Sequence, residues 1–180
     1  TMLLVFGGSL GAAHINEGVR RLKDELLSRE GLVVVHSTGA DGFDETVSAL
    51  ALTPDEQIRW RVMPYISNMG EALAAADLVL SRAGASSIAE IAAVGVPSLL
   101  VPYPHATADH QTTNARFLTD AGAAELLADQ KIDTPEFAAT LLGLLDEPAR
   151  RAAMREAALG LGQSRAAAAL ADQVEAAAQK

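Results

Sequence analysis

Short apolar runs alternate with amphipathic stretches along most of the chain, and that alternation narrows the possible folds more than any other feature. The runs are Met2–Phe6, Leu32–His36, Ile58–Met63, Leu78–Leu80, Ser98–Val101 and Glu125–Leu127, each read as a strand. Between the first two, Ile15, Val19, Leu22 and Leu26 recur at spacings of three and four, one face of a helix that Gly31 can close. Comparable helices fit Glu45–Leu52, Asn68–Ala76, Ser87–Val94 and Gln111–Ala121. Strands alternating with helices imply an α/β fold, a parallel sheet with helices on both faces and right-handed crossovers.

Beyond Thr134 the pattern is helical only. Thr134 can cap a helix begun by Pro135, and Pro148 separates Phe137–Leu145 from a following helix. Arg165–Lys180 is Ala-rich, with Leu170 and Val174 as its apolar marks, and reads as a surface helix that needs a partner.

The chain's 180 residues suffice for one domain with a real core and are too few for two ordinary ones. The absence of cysteine excludes disulfides, thiolate metal sites and cysteine nucleophiles. A formal charge of -9 repels nucleic-acid backbones and anionic lipid surfaces. An anion can still bind where backbone dipoles and an arginine outweigh the distant charge. No apolar run approaches the roughly 20 residues of a membrane span, and no signal-peptide pattern is present. The cytoplasm is the expected compartment. A chain that opens directly in a strand is expected to be an excised fragment, a natural short protein being the alternative.

Ligands of open parallel sheets bind beyond the carboxyl ends of the strands, and the unusual sequence lies there. Gly7-Gly8-Ser9-Leu10-Gly11-Ala12 follows the first strand and opens a helix. Glycines permit a sharp turn and close approach, and the helix start offers unpaired N–H groups, so the segment can cradle a diphosphate. It is neither a dinucleotide fingerprint nor a Walker A loop. It does match G-x-S-x-G, the nucleophile elbow of serine hydrolases, with Asp77 or Asp109 and His105 or His110 as partners of Ser9. That elbow normally follows earlier strands that supply an oxyanion hole; here it would sit on the first.

A second glycine-bearing loop, Ser81–Ser87, follows the fourth strand. Arg82 can neutralise a phosphate or pair with a surface carboxylate. Glu90, placed in the first helical turn, can accept two hydrogen bonds from a ribose diol. Equally, Ser87-x-x-Glu90 can be a capping box. After the fifth strand, Pro102–Gln111 places His105, Asp109, His110 and Gln111 where they can meet sugar hydroxyls. A metal held by the two histidines and Asp109 has no standard spacing, and the loop can also be merely polar. Met63–Met69 carries Tyr65 and Ile66, which can form a slot for a flat base or serve as core. His14 and His36 look structural.

In this order and spacing, GGSLGAAHIN (7–16), MPYISNM (63–69), the long stretch 76–116 and AGAA (121–124) resemble the donor-binding domain of family 28 glycosyltransferases. The combination of GGS-x-GA with SRAG…E…G-x-P…H…Q-x-x-N distinguishes that family, and the similarity spans nearly the whole chain. The resemblance implies one Rossmann-like half of a two-domain GT-B fold, residues 1–180 forming a single domain that lacks the N-terminal acceptor half. It implies an inverting hexosyltransferase of peptidoglycan synthesis, moving N-acetylglucosamine (GlcNAc) from UDP-GlcNAc to lipid I to form lipid II. The whole protein is then expected to sit peripherally on the cytoplasmic face of the plasma membrane.

Carried over by position, Gly8, Ser9, Leu10 and Gly11 meet the diphosphate and sugar, with Asn16 close by. The Ile66 backbone beside Tyr65 reads uracil; Arg82, Gly84, Ala85, Ser86 and Ser87 line the nucleotide site; Glu90 holds the ribose. His110 and Gln111 contact the sugar near His105 and Asp109. Leu10 replaces a common Gln or Arg, and His110 stands where Gln is frequent. No general base is assigned here; the family's is expected in the missing half. No metal or other cofactor is expected, UDP-GlcNAc being a substrate. The alternatives are a stand-alone nucleotide-sugar-binding subunit, a related glycolipid or natural-product glycosyltransferase, and the serine hydrolase.

Overall fold

A computed structural model of the chain describes residues 1–7 and 12–161. Its centre is a six-stranded, wholly parallel sheet: β1 (Met2–Phe6), β2 (Val33–Ser37), β3 (Trp60–Met63), β4 (Leu78–Ser81), β5 (Ser98–Leu100) and β6 (Ala124–Leu126). The spatial order is β3-β2-β1-β4-β5-β6. Leu4 of β1 lies opposite Val35 on one side and Val79 on the other. Side chains alternate along a strand, so a strand covered on both faces must be apolar throughout. Accordingly Leu3 and Val5 enter one core cluster, and Leu4 and Phe6 enter the other.

The first cluster packs Ile15, Val19, Leu26, Phe137 and Leu141 against the sheet. The second packs Leu73, Ile88, Ile91 and Leu118. Most of these side chains belong to helices α1 (Ala13–Arg21), α2 (Lys23–Leu27), α5 (Met69–Ala75), α6 (Ala85–Val94), α7 (His110–Thr119) and α8 (Pro135–Asp146). Helix α9 (Pro148–Gly160) serves both clusters, through Met154 and Ala158. Pro148 acts as expected, as first residue of α9; Thr134 occupies the N-cap of α8, but its hydroxyl donates to the Lys131 carbonyl and makes no cap bond to the helix. Residues 165–180 lie outside the described region.

Three expectations are corrected. The apolar face from Ile15 to Leu26 is buried as read, but Leu22 (φ -96, ψ 19) breaks the helix into α1 and α2. The stretch expected to be strand from Ile58 instead begins as helix α4 (Pro54–Arg59), and β3 starts at Trp60. There Thr53 Oγ1 accepts from the Glu56 N–H while Glu56 accepts from the Thr53 N–H, a complete capping box with Pro54 in the first turn. Helix α3 (Phe43–Leu50) begins and ends two residues early, with Ala51 closing it at φ 42.

The sheet order places the site. Consecutive connections proceed outward from β1 through β2 to β3, then return to β4 on the other side of β1. The crevice at that reversal opens beyond the carboxyl ends of β1 and β4. Asp77 lies at the opposite end, where its carboxylate accepts from the Met2 N–H at 2.7 Å.

Candidate functional site

A cleft of about 680 Å³ lies over the carboxyl ends of β1, β4 and β5. Its first wall is Gly7, at the end of β1, with Ala12, Ala13 and His14 at the start of α1. Gly8, Ser9, Leu10 and Gly11 connect these walls in sequence but lie outside the described residues. Ala12 is the N-cap of α1 and makes no side-chain cap bond. The second wall is Arg82, Gly84, Ser86 and Ser87. Gly84 caps α6 in extended conformation, again with no side-chain cap bond. Two helix starts therefore face one cleft; the lack of a side-chain cap bond is common to every described α-helix but α4, so it is their convergence that marks the site. Unpaired N–H groups at a helix start attract anions.

Arg82 is only 8 % exposed. Its Nη1 donates to the Val101 and Pro102 carbonyls and, at 2.5 Å, to Asp129 Oδ1. The guanidinium lies 5.5 Å from the centre of the Tyr103 ring. Of the two roles open to Arg82, the structure displays an ion pair, with a partly buried carboxylate rather than a fully exposed one. Tyr103 and His105, stacked edge to face at 5.6 Å, form the third wall beside Pro104.

Gln111 stands in the first turn of α7 and lines the cleft. Its Oε1 accepts from the Ala83 N–H at 3.2 Å and the Tyr103 N–H at 2.9 Å. One turn later Asn114 Nδ2 donates to the Ala83 carbonyl at 3.1 Å. This pair on one face of α7 clamps the loops after β4 and β5 to each other. The Q-x-x-N spacing was its signal in the sequence, although Asn114 itself was not singled out.

His14 is corrected from a structural residue to a cleft residue. Its Nδ1 lies 2.7 Å from Asp129 Oδ2 and its Nε2 lies 3.1 Å from Asp133 Oδ2. Burial opposes its protonation, but the hydrogen bonds to Asp129 and Asp133 prevail and raise its pKa above 6.5. His36 is structural as read. It is fully buried, and desolvation, aided by the charge of Arg20, lowers its pKa to about 3. Asp129 had no local signal; it follows β6, and only the pairing of β6 with β5 brings it here.

Several expected residues lie elsewhere. Asn16 is 3 % exposed, bonds to the Thr38 carbonyl and His36, and does not line the cleft. It falls on the inward face of α1, one residue after buried Ile15. Ile66 is core in the second cluster while Tyr65 is 67 % exposed, so their side chains form no shared slot. Glu90 is in the second turn of α6, not the first, because Gly84 rather than Ser87 is the N-cap. That rules out the Ser87–Glu90 capping box. Glu90 is exposed and shares a helix face with Ser86 and Ser87. Ala85, first residue of α6, is exposed.

Asp109 caps α7 with φ 53 and accepts from Thr112 Oγ1, and His110 Nδ1 lies 2.8 Å from the Thr107 carbonyl. Neither lines the cleft. Among the described residues no group of His, Asp and Glu is arranged to hold a metal, the set of His105, Asp109 and His110 included. The hydrolase reading loses Asp77, which lies at the amino end of the sheet, away from any residue following β1. No described helix is long and apolar enough to cross a membrane. A smaller depression of about 320 Å³ borders β3, with Val47, Leu52 and Trp60 in its lining, but no uncapped helix start faces it.

Comparison with known proteins gives the chain's family. The chain is 45% identical over 172 residues to the UDP-N-acetylglucosamine--N-acetylmuramyl-(pentapeptide) pyrophosphoryl-undecaprenol N-acetylglucosamine transferase of Chlorobium phaeobacteroides, covering 96% of this chain and 46% of that one. It is 47% identical over 157 residues to the protein of the same name from Salinibacter ruber, covering 87% and 41%. The chain thus spans about half the length of the curated relatives it matches. The crystal structure of Acinetobacter baumannii MurG superposes with a TM-score of 0.77 at 34% identity, covering 96% of this chain and 49% of that one. The calicheamicin glycosyltransferase CalG4 superposes at 0.63 and 25% identity, covering 97% and 41%. Residues 2–174 match the model of the glycosyltransferase family 28 C-terminal domain, and the chain belongs to that family.

Proposed function

We propose that residues 1–180 are the donor-binding domain of a MurG-type enzyme, which transfers N-acetylglucosamine from UDP-N-acetylglucosamine to lipid I. The acceptor site and the general base then belong to a separate N-terminal half, which would also bring the enzyme to the membrane-held acceptor. One observation carries the reading: the starts of α1 and α6 and a buried arginine converge on one cleft at the reversal of strand order. The names borne by the relatives from Chlorobium phaeobacteroides and Salinibacter ruber support the choice of donor and acceptor.

In this reading the acceptor hydroxyl attacks the anomeric carbon, that carbon inverts, and UDP departs. Negative charge grows on the diphosphate, and the N–H groups at the starts of α1 and α6 stabilise it as it develops. In this reading Gly8, Ser9, Leu10 and Gly11 are further residues for the diphosphate and sugar. Arg82 adds positive potential while Asp129 holds it in place. Glu90, at the rim of the α6 face that carries Ser86 and Ser87, accepts from the ribose diol. The Ile66 backbone, flanked by exposed Tyr65, meets the base. Gln111 has its carbonyl oxygen committed to Ala83 and Tyr103, which leaves its amide nitrogen to donate to the sugar, with His105 and His110 nearby.

Calorimetric titration with UDP, UDP-N-acetylglucosamine and UDP-glucose tests this. Binding of UDP is expected, with the N-acetylglucosamine derivative preferred over the glucose one. Glu90→Ala is expected to weaken UDP binding by about 1–3 kcal/mol. Absence of any heat at millimolar UDP would remove the reading.

A further inference from the structure

We propose that His14 is a titratable cation of this cleft, held doubly protonated by a bound nucleotide diphosphate, so that ligand affinity declines as pH rises. The inference rests on the donor-binding reading above. Its first ground is the hydrogen-bond arrangement. An ionised carboxylate only accepts, and a neutral imidazole has one N–H. Here both ring nitrogens meet carboxylate oxygens, Nδ1 on Asp129 and Nε2 on Asp133. Both contacts can be made together with ionised carboxylates only by the imidazolium. Its second ground is position: His14 is the second residue of α1 and lines the cleft with Gly7, Ala12 and Arg82.

The charges around the ring come from three elements. On α1, Glu17 and Arg21 pair with each other, and Arg21 also reaches Asp133. On the turn after β6, Asp129 is shared with Arg82, while Lys131 is drawn off by Glu136. From the loops after β4 and β5 come Arg82 and His105, which line the same cleft. With His14 neutral, Arg82 and Arg21 against Asp129, Asp133 and Glu17 leave one net negative charge; with His14 protonated the group is neutral. A diphosphate arriving beside Asp129 meets repulsion from that carboxylate, and the imidazolium offsets it. The ligand therefore favours the protonated form, and by linkage its binding is complete below the histidine's titration range and is lost as pH rises through it. Burial and the two carboxylate bonds leave that range above 6.5.

UDP-N-acetylglucosamine is the probe, because its diphosphate diester does not titrate near neutrality. Its affinity, measured calorimetrically from about pH 6 to about pH 8.5, is expected to fall by roughly tenfold, one unit of differential protonation. Proton uptake on binding is expected, read from buffers of different ionisation heat. His14→Gln is expected to bind weakly and without pH dependence, whereas His14→Lys, a fixed cation, binds tightly at both ends. A flat profile in the natural protein, or an unchanged slope in His14→Gln, overturns the proposal. A failure of all three proteins to bind at any pH overturns the donor-binding reading, and this inference with it.

Discussion

Asn16 satisfies two buried groups at once. Its Nδ2 donates to the Thr38 carbonyl at 2.9 Å, and its Oδ1 lies 3.0 Å from His36 Nε2, which fixes the proton of that neutral ring on Nε2. Truncation would leave both partners buried and unpaired. We expect Asn16→Ala to destabilise the protein by about 2–4 kcal/mol in urea unfolding, while UDP affinity of the folded variant stays within about twofold. A large loss of affinity at unchanged stability would return Asn16 to the ligand. Motif position had put Asn16 near the ligand because GGSLGAAHIN reads as one unit. The helix period, which turns residue 16 inward beside Ile15, was equally present and decided its place. His14 erred in the other direction, since nothing in its neighbourhood announces that Asp129 and Asp133 will arrive from far along the chain.

At the scale of elements, Gly18 sets how closely α1 meets the segment after β6. A methyl group there would come within 2.5 Å of Ile132 Cγ2 and 3.1 Å of Phe137 Cε1. That close approach also brings Asp129 and Asp133 within reach of His14. Gly18→Ala is expected to cost about 1–3 kcal/mol by overpacking, measurable as a lower melting temperature, and to shift the His14 resonance. A gain in stability, as helix propensity alone predicts, would mean that the contact yields. Elements with clear patterns were legible: β1, β2 and β4 as apolar runs, and the buried face of α1 from its spacing. Helix α4 was not, because Ile58 joins Trp60 and Val62 in what reads as one apolar run. The Thr53-x-x-Glu56 signature that overrules it spans only four residues.

For the molecule as a whole, two histidines pull stability in opposite directions with pH. His14 has a raised pKa, so its contribution is full below 6.5 and is lost as pH climbs through its folded value. His36 has a folded pKa of about 3, so its contribution is full above 6.5 and declines as pH falls toward 3. Each histidine changes stability by at most about 1.4 kcal/mol per pH unit. Urea midpoints are therefore expected to peak near neutrality and to fall on both sides, with His14→Gln flattening the alkaline limb alone. A midpoint that rises steadily to pH 9 would contradict this assignment. The parallel, doubly covered sheet was readable because buried strands must be apolar throughout. The convergence of the cleft was readable only as far as strand ends and helix starts could be placed.

Arg82 has a kinetic corollary. Held by two carbonyls, Asp129 and the Tyr103 ring, its guanidinium is confined before any ligand arrives. An arriving anion meets a stationary charge and need not freeze a wandering side chain, which removes one ordering cost from association.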